Sequence, residues 1–124
     1  MKYFNYEEFD SPDEIGSGLP TTDGGKMNVN FLHKLDEARA ISGVPYKITS
    51  GYRTSKHNAK VGGRVGSSHL KGVAVDIKCN NSSDRARILK GLFTVGLGRR
   101  VGIASNFIHV DADYDKPSAI WLYQ

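Results

Sequence analysis

The chain has 124 residues, 39% of them hydrophobic and 10% aromatic, with 17 Lys/Arg against 13 Asp/Glu for a formal net charge of +4. That length and composition predict a single domain over residues 1–124 with a core of its own, and they exclude wholesale disorder. The lone cysteine, Cys79, excludes an intramolecular disulfide and a cysteine-rich metal knuckle, while the acidic start at Glu7 and Glu8 and the lack of long apolar runs argue against a signal peptide or a spanning segment.

In chain order, an N-terminal stretch closes in the Gly/Pro-rich run Gly16–Gly25. Phe31, Leu32, Leu35, Ala38 and Ile41 then recur at helical spacing, and Gly43 and Pro45 stop that helix. Tyr46–Ser50 is a short strand candidate, followed by Gly51–Ser67, which its glycines and lysines predict to be a long loop. Val73–Lys78 alternates apolar residues around Asp76, as a half-buried strand does. Ser82-Ser83-Asp84 has the composition of a helix cap, and Ile88, Leu89, Leu92 and Phe93 fit one helical face that ends at Gly96 or Gly98. Val101–Ala104, Phe107–Asp111 and Ala119–Tyr123 complete the strands. Helices and strands do not alternate strictly, so the expected class is α+β, a small antiparallel sheet with flanking helices.

Two histidines and a carboxylate stand out on these elements: His69 at the end of the loop, Asp76 in mid-strand and His109 on a later strand. Hydrolytic zinc sites take three protein ligands of this kind and leave a fourth position open. An isolated histidine is more often a hydrogen-bonded surface residue, but Asp76 lies among Val73, Ala74, Val75 and Ile77, where an unpaired carboxylate is costly to desolvate. A cation would compensate it, and zinc with two neutral imidazoles leaves a net positive site that acidifies water toward neutral pH. Strand alternation turns Asp76 away from Val75 and Ile77, and His109 away from Ile108 and Val110, so neighbouring strands can bring the ligands together while the apolar residues fill the core.

Three blocks carry a resemblance. The first is Ile48-Thr49-Ser50-Gly51-Tyr52-Arg53-Thr54, with Asn58 and Val61-Gly62-Gly63 after it; the second is Ser68-His69-Leu70-x-Gly72-x-Ala74-x-Asp76; the third is Phe107-Ile108-His109-Val110-Asp111, followed by an aromatic strand at Trp121. In this order they resemble the zinc D-Ala-D-Ala carboxypeptidases and related peptidoglycan endopeptidases, which share a small α+β fold with the hedgehog signalling domain. The resemblance covers most of the chain. It implies that His69, Asp76 and His109 are zinc ligands and that Arg53 binds a substrate carboxylate or carbonyl oxygen, a task suited to arginine's bidentate fork. The alternative for Arg53 is a salt bridge that stiffens its loop. Ser68 is a candidate for hydrogen bonding to substrate, whereas Gly51, Gly62, Gly63 and Gly72 supply turns.

The chain also departs from the family. One version carries a glutamate base three residues before the last histidine, where this chain has Asn106, and another carries a histidine two residues before it, where this chain has Phe107. An asparagine cannot accept the proton of an attacking water. Asp111, two residues beyond His109 and on the same strand face, is then either the catalytic base or the group that orients His109. His57 is a weaker candidate for the base, and His33 is expected on the solvent side of its helix.

Residues 46–100 carry twelve Lys/Arg and only two acidic residues, Asp76 and Asp84, so a basic block surrounds the proposed site, either to concentrate anionic partners or simply as a solvated basic face. It lacks the interleaved aromatics of a strand-binding surface, which leaves no specific nucleic-acid partner. The resemblance therefore implies a zinc metallopeptidase that hydrolyses an amide in the stem peptide or cross-link of bacterial peptidoglycan. A phage-type endolysin is the expected form: a monomer made in the host cytoplasm without a signal peptide and acting at the cell wall. Two alternatives stay open, a dipeptidase or carboxypeptidase acting on small D-Ala-D-Ala precursors and a non-catalytic, zinc-stabilised binding module of an envelope or virion, which Asn106 keeps in play.

Overall fold

The computed structural model describes residues 1–123. Helices α1 (Val29–Ser42), α2 (Ser55–Lys60) and α3 (Ser82–Thr94) combine with strands β1 (Ile48–Ser50), β2 (Ala74–Lys78), β3 (Arg100–Ile103), β4 (Phe107–Asp111) and β5 (Ala119–Leu122) in an α+β arrangement. The sheet runs β1-β2-β4-β3-β5. Its first four strands pair antiparallel, but β5 joins the β3 edge in parallel, so the sheet is mixed where the strand pattern predicts a wholly antiparallel one. The reason is connectivity. β4 already runs opposite to β3, and a chain that turns back after Asp111 and reaches the far side of β3 has to run with it.

Local chemistry starts and stops the helices. The Asn28 side chain accepts the Phe31 N–H at the head of α1, and Gly43 ends the helix at a φ of 70°. Phe31, Leu32, Leu35 and Ala38 are buried as their spacing predicts, while Ile41 is left on the rim and Ser42 takes the inward place. α3 is capped one residue earlier than expected, by Asn81 accepting the Asp84 N–H. Ile88 and Leu92 point inward, Leu89 is half-buried, and Phe93 lies half-exposed over Gly98. The segment 51–67 is not a continuous loop: the Thr54 hydroxyl accepts the His57 N–H and starts α2. Six residues are too few to display a helical period, so its glycine-rich flanks dominated the pattern.

α1 and α3 contribute Phe31, Leu32, Leu35, Ile88 and Leu92 to the same buried cluster as Val75, Ile77, Val101, Ile108 and Val110 of the sheet. Phe9 and Met27 from the N-terminal segment complete it. Each such side chain contributes about 1.5–3 kcal/mol by leaving water. Because the strands alternate, the opposite face of β2 and β4 is free to carry polar residues.

Candidate metal centre

That polar face is built as one row across the sheet, because the pairing places Ser50 opposite Asp76, Asp76 opposite His109, His109 opposite Gly102 and Gly102 opposite Trp121. His69 enters from outside the row, on a 3-10 turn (Ser68–Lys71) capped by Ser67. Gly72 ends that turn at a φ of 69°, and a Cβ there would lie 2.0 Å from the Lys26 carbonyl oxygen, so only glycine fits.

Each imidazole is oriented through its outer nitrogen. His69 Nδ1 lies 2.8 Å from the Gly51 carbonyl, which can only accept, so the ring donates there and turns Nε2 toward Asp76 Oδ1, 3.4 Å away. His109 Nε2 donates to Asp111 Oδ2 at 2.7 Å and presents Nδ1 to Asp76 Oδ1 at 2.9 Å. One ligand atom from each of His69, Asp76 and His109 lies within 4.8 Å of the others, a cluster that could hold a metal ion. Ligand atoms around a tetrahedral zinc are about 3.3 Å apart, given bonds of roughly 2.0–2.1 Å. The observed 3.4 and 2.9 Å fall on either side of that spacing, so the donor set fits zinc.

The charges agree with a site built around a cation. Burial by itself would raise the Asp76 carboxyl, but hydrogen bonds from His109 and His69 outweigh it and hold the group well below the usual carboxylate range. Burial would likewise lower His109, yet Asp111 and Asp76 on its two nitrogens leave it raised. A nitrogen and a carboxylate oxygen 2.9 Å apart need positive charge between them, from a proton or a metal. The second oxygen of Asp76 faces Arg53, with Nη2 at 3.5 Å. Arg53 also donates from Nε to Ser50 Oγ and from Nη1 to Asn58 Oδ1.

The other expected residues fall in distinct places. Asp111 is buried with both oxygens engaged: Oδ2 takes His109, and Oδ1 takes Arg100 Nε at 2.8 Å and the Asp113 N–H. It therefore touches the imidazole on the nitrogen away from Asp76. Ser68 is buried too; its hydroxyl donates to Asp113 Oδ2 and accepts from Lys116 Nζ. Burial would raise Asp113, but Ser68 and Lys71 outweigh it and hold its carboxyl down at about 2. His33 is exposed on α1, as expected. His57, on α2, and Asn106, exposed in the turn before β4, are not among the residues that line the cleft above the cluster.

That cleft, of about 940 Å3, is lined by Arg53, Arg64, Arg100 and Lys116, with Trp121 and Tyr123 on the β5 side. Trp121 was read only as marking an aromatic strand and Tyr123 as that strand's end, while Arg100 counted only within the basic block. The signal for them was the glycine at 102: the Trp121 indole lies over it, with ring centroids 5.5 Å from His109, while the Arg100 guanidinium stacks on the indole at 5.0 Å.

Two imidazoles and a carboxylate converging at the floor of an open basic cleft have the build of a metal-dependent hydrolase. The family model described as Peptidase M15 matches residues 2–111, and the chain belongs to that family, the zinc D-Ala-D-Ala carboxypeptidase-like peptidases. No curated protein matches the chain. Among the described residues no helix is long and apolar enough to cross a membrane.

Proposed function

We propose that the protein is a zinc-dependent peptidase of bacterial peptidoglycan, cutting an amide of the stem peptide or cross-link in the manner of a phage endolysin. The observation that carries the reading is the convergence of His69 Nε2, Asp76 Oδ1 and His109 Nδ1 on the floor of the cleft in a chain of this family. Those three residues would hold the ion, which when bound supplies a Lewis acid for the scissile carbonyl and for water. Arg53, beside Asp76 and at the cleft wall, anchors a substrate carboxylate or carbonyl oxygen with the guanidinium hydrogens that Ser50 and Asn58 leave free. Ser68 serves the substrate through Lys116, which it holds at the cleft.

We assign Asp111 to positioning, because its carboxylate is spent on His109, Arg100 and a backbone N–H. Four cations on the lining suit the carboxylates of stem peptides and an anionic wall. The test is mass spectrometry of purified peptidoglycan and of free D-Ala-D-Ala peptides after incubation with the zinc-loaded protein, with a chelator control. New amide cleavage in the sacculus that the chelator abolishes supports the reading. Cleavage of the small precursors alone would move the protein to the carboxypeptidase side, and no cleavage of either would sink the proposal.

A further inference from the structure

Resting on the peptidase reading, we propose that Tyr123 is a further catalytic residue, whose phenolic O–H donates a hydrogen bond to the scissile carbonyl oxygen as it gains negative charge. Trp121 and Tyr123 are two residues apart, so both side chains rise from the same face as His109. The Tyr123 ring does not stand upright at the sheet edge. It reaches back across β3: a Cβ on Gly102 would lie 2.6 Å from Tyr123 Cε2 and 2.5 Å from Trp121 Nε1. Gly102 is the direct cross-strand partner of His109. The ring also packs on Phe107, two residues before His109 on the same face, at 5.0 Å between centroids.

A ring anchored on β5, crossing an absent side chain on β3 and packing on Phe107 of β4 lies on the sheet face that carries the metal cluster, with its hydroxyl beside the Trp121 indole N–H, and Tyr123 lines the same cleft. The missing side chain at 102 thus has a use beyond packing.

Arg53 offers a charged donor from one wall of the cleft, and the β5 side has room for a neutral one opposite it. The other hydroxyls on its lining near the cluster are engaged, Ser67 with the His69 N–H and Ser68 with Asp113 and Lys116, and the Asp111 carboxylate is occupied. A phenol is protonated at neutral pH and is a stock donor to developing oxyanions in acyl transfer. Partial burial outweighs a hydrogen bond from the Trp121 indole and pushes the phenol above its ordinary value, so it keeps its proton. No bond to the phenol is made or broken; it donates, and the charge it meets is created by attack of water on the carbonyl carbon.

The experiment compares the zinc-loaded wild type with Tyr123→Phe on a peptidoglycan stem peptide, measuring kcat, KM, zinc affinity and the affinity for a phosphinate analogue of the peptide. Expected is a fall in kcat on the order of 10²-fold, the loss usual for one oxyanion donor. KM and zinc affinity should be unchanged, and the analogue should bind more weakly by the same factor as kcat/KM falls. Retention of kcat within twofold overturns the proposal, as does a rise in KM alone or a parallel loss of zinc, which would mark the tyrosine as a ground-state contact or a structural prop. A wild type that cleaves no stem peptide overturns the peptidase reading and this proposal with it; a cleaving wild type with an equally active Tyr123→Phe overturns this one alone.

Discussion

The two faces of the central strands β2 and β4 meet different demands with adjacent residues. Val75, Ile77, Ile108 and Val110 are fully buried and ask only for apolar volume. Asp76, His109 and Asp111, one residue away from them, are held atom by atom: each nitrogen of His109 has its own carboxylate, and each oxygen of Asp76 has its own kind of partner. The strand's period of two lets a stability requirement and a chemical one sit side by side. Substitutions should therefore separate, with the apolar face changing stability and the polar face changing metal binding and turnover.

The largest expected effect lies on the polar face. His69→Ala, Asp76→Ala and His109→Ala should each take zinc content from about one per chain to none and lower turnover at least about 10³-fold, equivalent to several kcal/mol. Elemental analysis beside circular dichroism decides it: full zinc content in all three folded variants would remove the site. Next is the apolar face. Ile108→Ala should lower the free energy of unfolding by about 2–5 kcal/mol in urea titrations while leaving zinc per folded chain and kcat unchanged. A loss of zinc in that variant would break the separation between the faces.

Asp111→Asn sharpens it. A positioning residue predicts zinc affinity weaker by about 10–100-fold with turnover largely restored at saturating zinc. Collapse of turnover at full zinc occupancy would instead make Asp111 the base. Arg53→Lys comes lower, with kcat/KM down about 10-fold, zinc retained and melting temperature unchanged, since lysine keeps the charge and loses the fork. A lower melting temperature at wild-type activity would make Arg53 a brace for Asp76.

The smallest effect tests the lysine-bound carboxylate beside the cleft. Asp113 is depressed to about 2, so the stability it contributes is fully present above its unfolded value near 3.9 and is lost as pH falls toward 2. Asp113→Asn should lower the melting temperature of the chelator-treated protein by about 3–6 °C at pH 7, on the order of 1 kcal/mol. That difference from wild type should shrink between about pH 4 and pH 2; a constant difference would show that the loss is not electrostatic.

The candidate ligands could be read in the sequence because their constraint is local. A carboxylate at the middle of Val-Asp-Ile, and an imidazole at the middle of Ile-His-Val, cannot have both neighbours in the core without facing the other way themselves. The stop at Gly43 was equally local, whereas the Asn28 cap of α1 went unread and the cap of α3 fell on Asn81 and not on the serines after it. α2 escaped because a helix of six residues has no period to display and is held by Thr54 at its start and by the Arg53–Asn58 contact.

What the sequence by itself determined was which residues share a face: alternation and helical spacing are set by backbone geometry, and they sorted the core from the candidate ligands along β2 and β4 and found all of the α1 core but its last turn. Which strand lies beside which was decided only by the tertiary structure. The parallel placement of β5, the row from Ser50 through His109 to Trp121, the pairing of Arg100 with Asp111 and the laying of two aromatic rings over Gly102 all join residues distant in the chain. Such contacts depend on packing across strands, which no window of neighbouring residues records, and for that reason the cleft and its aromatic wall emerged only with the fold.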